Sequence, residues 1–574
     1  MEISVPNAQG SNACRTVAAT AVSLLIVVVA VAVPRLREPS KAMPAGSAPA
    51  SVVASGAAGP SAAPRVFRYF TERPRSLDPG LASDAYSAMV ISQIFSPLVG
   101  LTSDLGPVPQ MAESWTISPD GLTYVFHLRK GVRFHTGREV TAADFVYSLT
   151  RLFKEPFRSQ GLAAGYLDAI VGVPEFERGE TEGISGISAI DPLTLEIRLS
   201  RPYGALLSAL ALDQTSVVPR ETVDSNDPGP FADNPVGCGP FRFAYRRGDD
   251  VIVLAANPDY FLGRPAIDSI LFYTPQGNVE TQGADALSRG ETAMANLPVS
   301  LLEEFKGQPN VRVVRWQDLS TSFIGMNTTM APFDDPRVRQ AVALAMNRDA
   351  MLNLWPAGKV LSQGILPPGL PGFSSGQKVY DRDVAAARRL LAAAGYGPSN
   401  PLPALRLCKS GGTESSRQID TVMVNSLADA GIQVDLQYVR WSDLDSLVTG
   451  RHAQMFGLTW VADIPDPDTF LRSLFYSSSA TNYFRYSDQA VDSLLDLARR
   501  TADPEIRMNA YHTAERAIVE AAPLVPLFHS STFIGLRNDV SGLEVNPLGI
   551  STLAMEKLRI GNPSNGREQR QAIR

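Results

Sequence analysis

Between residues 383 and 470 the chain alternates helix-forming and strand-forming stretches, a rhythm that few folds accommodate. Residues 383–394 have helical periodicity and stop at Gly395; 402–407 read as a strand, and 415–430 as a helix stopped by Gly431. A strand over 432–439, a helix over 442–449 and a strand over 454–460 follow. Helical crossovers of this length return the chain in the same direction, so the pattern predicts a parallel-type α/β sheet. In such a sheet ligands bind beyond the carboxyl ends of the strands. The last strand delivers Trp460, Val461, Ala462 and Asp463 to that position.

Residues 459–470 read Thr-Trp-Val-Ala-Asp-Ile-Pro-Asp-Pro-Asp-Thr-Phe, which puts Asp463, Asp466 and Asp468 at a strand-to-helix turn. Asp466 before Pro467 has an ordinary explanation, an N-cap followed by proline at the first helical position. Asp463 lies three residues earlier and caps nothing. A carboxylate beside an indole suits a ligand with an apolar body and a cationic end. The carboxylate triplet is also a candidate Ca²⁺ site, although it lacks the EF-hand loop pattern.

The 574 residues, 44% of them hydrophobic, suffice for two or three domains with cores of their own. A net charge of −6 argues against a nucleic-acid partner. The three cysteines, Cys14, Cys238 and Cys408, have no metal-ligand spacing, and neither do the five histidines, so no metal or cofactor is expected. Cys238 and Cys408 read as two core thiols, with a single disulfide between them as the alternative.

Residues 17–33 form an apolar run of 17, polar only at Thr20 and Ser23. As a helix it would reach ~26 Å, close to a hydrocarbon core of roughly 30 Å. A secretory signal fits its place near the N-terminus, and an uncleaved membrane anchor fits its length. Residues 44–64 are a linker in which 19 of 21 residues are Ala, Pro, Ser or Gly, a composition that buries no core.

The body carries a longer pattern. Met111-Ala-Glu-Ser-Trp115 leads to the turn Ser118-Pro-Asp-Gly121, after which Leu122, Tyr124, Phe126 and Leu128 alternate as a half-buried strand. Lys130-Gly131 turns into a second expected strand through Phe134, and Thr141-Ala-Ala-Asp144 is a capping box opening a helix with Phe145, Leu149 and Leu152 on one face. Asn234-Pro-Val-Gly-Cys-Gly-Pro-Phe241, Asn257-Pro-Asp-Tyr260, Ser288-Arg-Gly-Glu-Thr292 and Asp335-Pro-Arg-Val-Arg-Gln-Ala-Val342 follow in order. Together with the Trp460–Asp463 segment, this series resembles the family 5 extracellular solute-binding proteins, the peptide-binding receptors of ABC importers. The resemblance spans roughly residues 66–561. Cys238 stands where Thr or Ser is usual, and the Asp usual near Thr292 is missing.

The resemblance implies a two-lobed α/β fold of the periplasmic-binding-protein type II kind, with an extra subdomain inserted in the first lobe. The expected parts are a signal or anchor (1–42), a linker (43–65), lobe I (66–100, 189–325 and 527–561), the inserted subdomain (101–188), lobe II (326–526) and a tail (562–574). The implied function is capture of a peptide between lobes that close on it, and delivery to an ABC permease and ATPase. The expected protein is an extracytoplasmic monomer that makes and breaks no bond. Asp463 is the implied partner of the ligand's α-ammonium group. Trp460 is expected to face the cleft, and the backbone of Val461 and Ala462 to pair with the extended peptide. Lys409 and Arg417 are candidates for the ligand's carboxylate by position alone. A non-peptide solute such as nickel or haem remains open on the same fold. A penicillin-binding type serine hydrolase is the enzyme alternative, on Ser375-Gly-Gln-Lys378. The sequence holds no nucleophile-elbow or P-loop motif.

Overall fold

The computed structural model describes residues 64–225, 230–355, 357–377, 379–411, 414–501 and 503–561. The apolar run 17–33, the linker, Lys378 of the hydrolase motif and the tail lie outside these residues. Among the described residues, no helix is long and apolar enough to cross a membrane.

The architecture is two-lobed α/β, built on three main sheets. In the first, Val66–Phe70 pairs in parallel with Ser269–Tyr273, which continues antiparallel to Val251–Ala256 and then Phe241–Arg247. Phe67, Tyr69, Phe241, Ile270 and Phe272 fill its core against Met89, Val90 and Ile91 of the helix Ala85–Ile94. The second sheet is antiparallel, in the order Ala112–Ile117, Thr123–Leu128, Thr194–Arg198 and Ile187–Asp191. Tyr124, Phe126 and Leu128 are buried as the alternation requires. The helix Ala142–Arg151 packs Phe145 and Leu149 into a separate core there. Its box closes as expected, with Thr141 N donating to Asp144 Oδ2 at 2.8 Å. The second strand expected after Lys130 is absent: only an isolated bridge between Arg133 and Glu139 forms there.

The third sheet has eight strands and corrects the expectation of a parallel-type sheet. Leu405–Ser410 is parallel to Val434–Val439 and, over two residues, to Met455–Val461. Ser320–Met326 runs antiparallel to Met455–Val461, and Leu524–Arg537 runs antiparallel to Ser320–Met326. The helix–strand alternation therefore dictated only the parallel part. The antiparallel strands enter from sequence-distant segments whose pairing no local pattern announces.

Period-two alternation divides this sheet's faces. Ile324, Leu407 and Met455 enter a core with Val338, Val342 and Leu391, whereas Phe323, Cys408 and Phe456 enter another with Phe470, Phe484 and Tyr511. The helices Pro336–Ala345 and Val384–Ala393 cover the first face; Asp468–Phe475, Gln489–Arg500 and Pro504–Ala521 cover the second. Asp335 and Asp383 cap the first two by accepting Arg337 N and Ala386 N, each at 2.8 Å. Cys238 and Cys408 are free and buried in different cores, so the two-thiol reading holds.

Candidate functional site

The strand Met455–Val461 ends at a cavity of about 320 Å³ that gathers five distant segments of the chain. Val461, Ala462 and Asp463 form one wall, and Asp84, Leu101, Leu162, Asp213 and Thr552 are among the residues facing them. No lysine or arginine is among the lining residues.

Asp463 is engaged at one carboxylate oxygen. Its Oδ2 accepts from the Tyr166 hydroxyl at 2.7 Å, and that hydroxyl also contacts Thr469 Oγ1 at 3.2 Å. Burial pushes the Asp463 carboxyl above its ordinary range, and the Tyr166 hydrogen bond opposes that shift. Oδ1 has no hydrogen bond among the described residues. The group is therefore a desolvated acceptor with one oxygen unused.

The rest of the triplet does different work. The helix begins one residue later than expected, with Pro467 rather than Asp466 at its N-cap; Asp466 accepts Asp468 N at 3.0 Å and is held by Arg507 Nη2 at 2.8 and 2.7 Å. Asp468 meets Tyr511 Oη at 3.2 Å and Arg499 Nε at 3.5 Å. Both carboxylates are buried and claimed by arginines, so the triplet is divided rather than assembled as a Ca²⁺ cage. Trp460 donates its indole N–H to Thr469 O at 2.8 Å and meets Tyr483 edge-on at 6.4 Å. It is half-buried and braces the turn below Asp463, and it is not among the residues lining the cavity.

The backbone before Asp463 is half open. Ala462 N donates to Leu319 O at 2.8 Å, so that donor is taken. Antiparallel pairs alternate, which turns the N–H and C=O of Val461 to the opposite side. There Leu405–Ser410 has already diverged, because its pairing with this strand ends at Cys408 and Phe456. Residues 457–461 thus present a strand edge with no strand partner on that side among the described residues, and Val461 is 55% exposed.

The comparisons with known proteins show the family. The profile of the family described as "Bacterial extracellular solute-binding proteins, family 5 Middle" matches residues 106–482. The chain belongs to this family. It is 31% identical over 464 residues to the probable di/tripeptide-binding protein 5 of Pseudomonas aeruginosa (strain UCBPP-PA14), covering 77% of this chain and 85% of that protein. It is 29% identical to heme-binding protein A of Haemophilus influenzae, covering 85% and 91%. Among solved structures, the periplasmic binding protein DppA of Helicobacter pylori in complex with the peptide STSA superposes with a TM-score of 0.72 at 26% identity, covering 87% of this chain and 98% of that one.

In this family 5 protein a second cavity, about 600 Å³, opens where the two parallel strands separate; Lys359, Lys409, Trp441, Gly457 and Thr459 are among its lining residues. Lys409 lies across Gly457, where a Cβ would come within 3.0 Å of its side chain. Its ammonium is held by the buried Asp420, which also accepts from Tyr438 Oη at 2.9 Å. Arg417 is exposed and stacks over Tyr438, 5.5 Å from the ring centroid. Lys359 makes no ion pair among the described residues; it donates to Ser530 Oγ at 3.2 Å, and burial lowers its pKa.

Sequence reasoning missed Tyr166, Asp213 and Lys359. Tyr166 and Lys359 stand in short segments without periodicity or motif. Asp213 closes the apolar stretch 205–212, and a carboxylate at the end of such a run was the one available signal.

Proposed function

We propose that this extracytoplasmic solute-binding protein captures short peptides between its two lobes and delivers them to the permease of an ABC importer. The observation that carries this reading is the Asp463 carboxylate, with one oxygen free, at the end of an unpaired strand edge. An extended peptide would add to the edge at residues 457–461, as strand addition requires. Its α-ammonium group would meet Asp463 Oδ1, and its carboxylate would run toward the lysine-bearing cavity. Lys359 is the better receiver there, since Lys409 is neutralised by Asp420 and Arg417 stands on the surface. The names of the peptide-binding relatives support the same substrate class. Residues 17–33 would serve as the export signal or the anchor.

Haem fits less well despite the haem-binding relative, because its carboxylates would face Asp84, Asp213 and Asp463 across the smaller cavity. Calorimetry with di- and tripeptides tests the proposal. Saturable binding that requires a free α-amino group is expected, and failure of every such peptide to bind would refute it.

A further inference from the structure

Three carboxylates line the cavity below Val461, and they are not equivalent. Asp84 is consumed as an N-cap: it accepts Tyr86 N at 3.1 Å, Ser87 N at 2.8 Å and Ser87 Oγ at 2.7 Å. Asp463 shares one oxygen with Tyr166. Asp213 makes no side-chain hydrogen bond or ion pair among the described residues, and its neighbour Gln214 is turned away to Ala82 O at 2.7 Å. Its carboxyl lies on the cavity wall, partly exposed to that space, and desolvation by the surrounding protein pushes its pKa up to about 8. Enclosed polar groups are normally satisfied, and a lone acid facing a cavity is the signature of a group awaiting a ligand.

We propose that Asp213 receives a second positive charge, so that the cavity selects peptides carrying a cationic side chain in addition to their α-ammonium group. This rests on the peptide-capture reading. One ammonium group is matched by Asp463, and a second cation is the partner that satisfies Asp213 in a wall holding no lysine or arginine. A neutral side chain leaves Asp213 protonated and unpaired, as it stands without ligand. A cationic one ionises it, so binding near pH 7 expels one proton. The other ionisable groups lining this space are Asp84 and Asp463. The first is locked by capping bonds. The second is held by Tyr166, whose hydroxyl is pushed well above its ordinary range and stays protonated.

Calorimetry on wild type and Asp213→Asn tests this. The probes are lysyl-alanine and alanyl-lysine, their norleucine counterparts, 1,5-diaminopentane and pentylamine. The expected result is a preference of at least about tenfold for a lysine peptide over its norleucine counterpart, lost in Asp213→Asn. Heats measured in two buffers of different ionisation enthalpy should show proton release with the lysine peptide alone, and only in wild type. A thermal unfolding midpoint no lower than that of wild type shows that the variant folds. Equal affinity for lysine and norleucine peptides, or a preference that survives Asp213→Asn, overturns the role of Asp213 while leaving peptide capture intact. Binding of the diamine without any peptide refutes peptide capture and keeps Asp213 as a cation receiver. Binding of no probe overturns both.

Discussion

Replacing Asp463 by Asn removes the charge at the centre of the proposed site with little change in shape. The Asn carbonyl still accepts from the Tyr166 hydroxyl, now 2.7 Å from Oδ2. Burial already disfavours the ionised carboxyl, so removing its charge relieves a desolvation cost in the ligand-free protein. The unfolding midpoint should therefore hold or rise slightly. Binding should behave differently, because an ammonium group entering this space loses the carboxylate proposed to receive it. Breaking a buried charge pair costs about 3–5 kcal/mol. Tyr166 already shares the charge, so the lower end applies, and ~3 kcal/mol is a loss of roughly 100-fold in affinity. Calorimetry should compare wild type and variant with one peptide, free and N-acetylated. The free peptide should bind the variant about 100-fold more weakly. The acetylated peptide should bind both proteins poorly and to a similar extent. If Asp463→Asn binds the free peptide within a few-fold of wild type, the ammonium group is received elsewhere and the reasoning fails.

Asp466→Asn should be the structural opposite: it breaks the buried ion pair in which Arg507 Nη2 meets both carboxylate oxygens and should cost about 3–5 kcal/mol in urea unfolding, and a loss below 1 kcal/mol would count against that network. His529 is buried, contacts Ser320 O at 3.0 Å, and has its pKa pushed down to about 4, so the unfolded chain binds the extra proton between pH 6.5 and 4; stability should fall by about 3 kcal/mol as pH drops through that window, and His529→Gln should flatten the slope. Asp213 has the opposite sign: its raised pKa means the folded state holds the extra proton, so stability should decline as pH rises toward about 8, and Asp213→Asn should remove that decline. The Cys238 thiol is pushed up to about 12 by burial and Cys408 is raised as well, so mass spectrometry should find neither alkylated at pH 8 until the protein is unfolded.

Much of the local structure was legible in the chain. Thr141 and Asp144 close the expected capping box, Asp335 caps the helix that follows it, and Gly395 and Gly431 take φ values of 92° and 86° at the expected helix ends. Tyr124, Phe126 and Leu128 point inward because alternate side chains of a strand share a face. These features depend on neighbours a few residues apart, and the ordered motifs carried the family by the same route. The tertiary structure alone decided which strands pair across hundreds of residues, turning an expected parallel sheet into a mixed one. It also sorted three similar aspartates. Asp466 and Asp468 fell to Arg507 and Arg499, which arrive from the helices Gln489–Arg500 and Pro504–Ala521, while Asp463 was left to the cavity. Tyr166 and Asp213 joined it there from segments 297 and 250 residues away. A carboxylate's role is set by the charges and solvent around it, and those neighbours are assembled only when the chain folds.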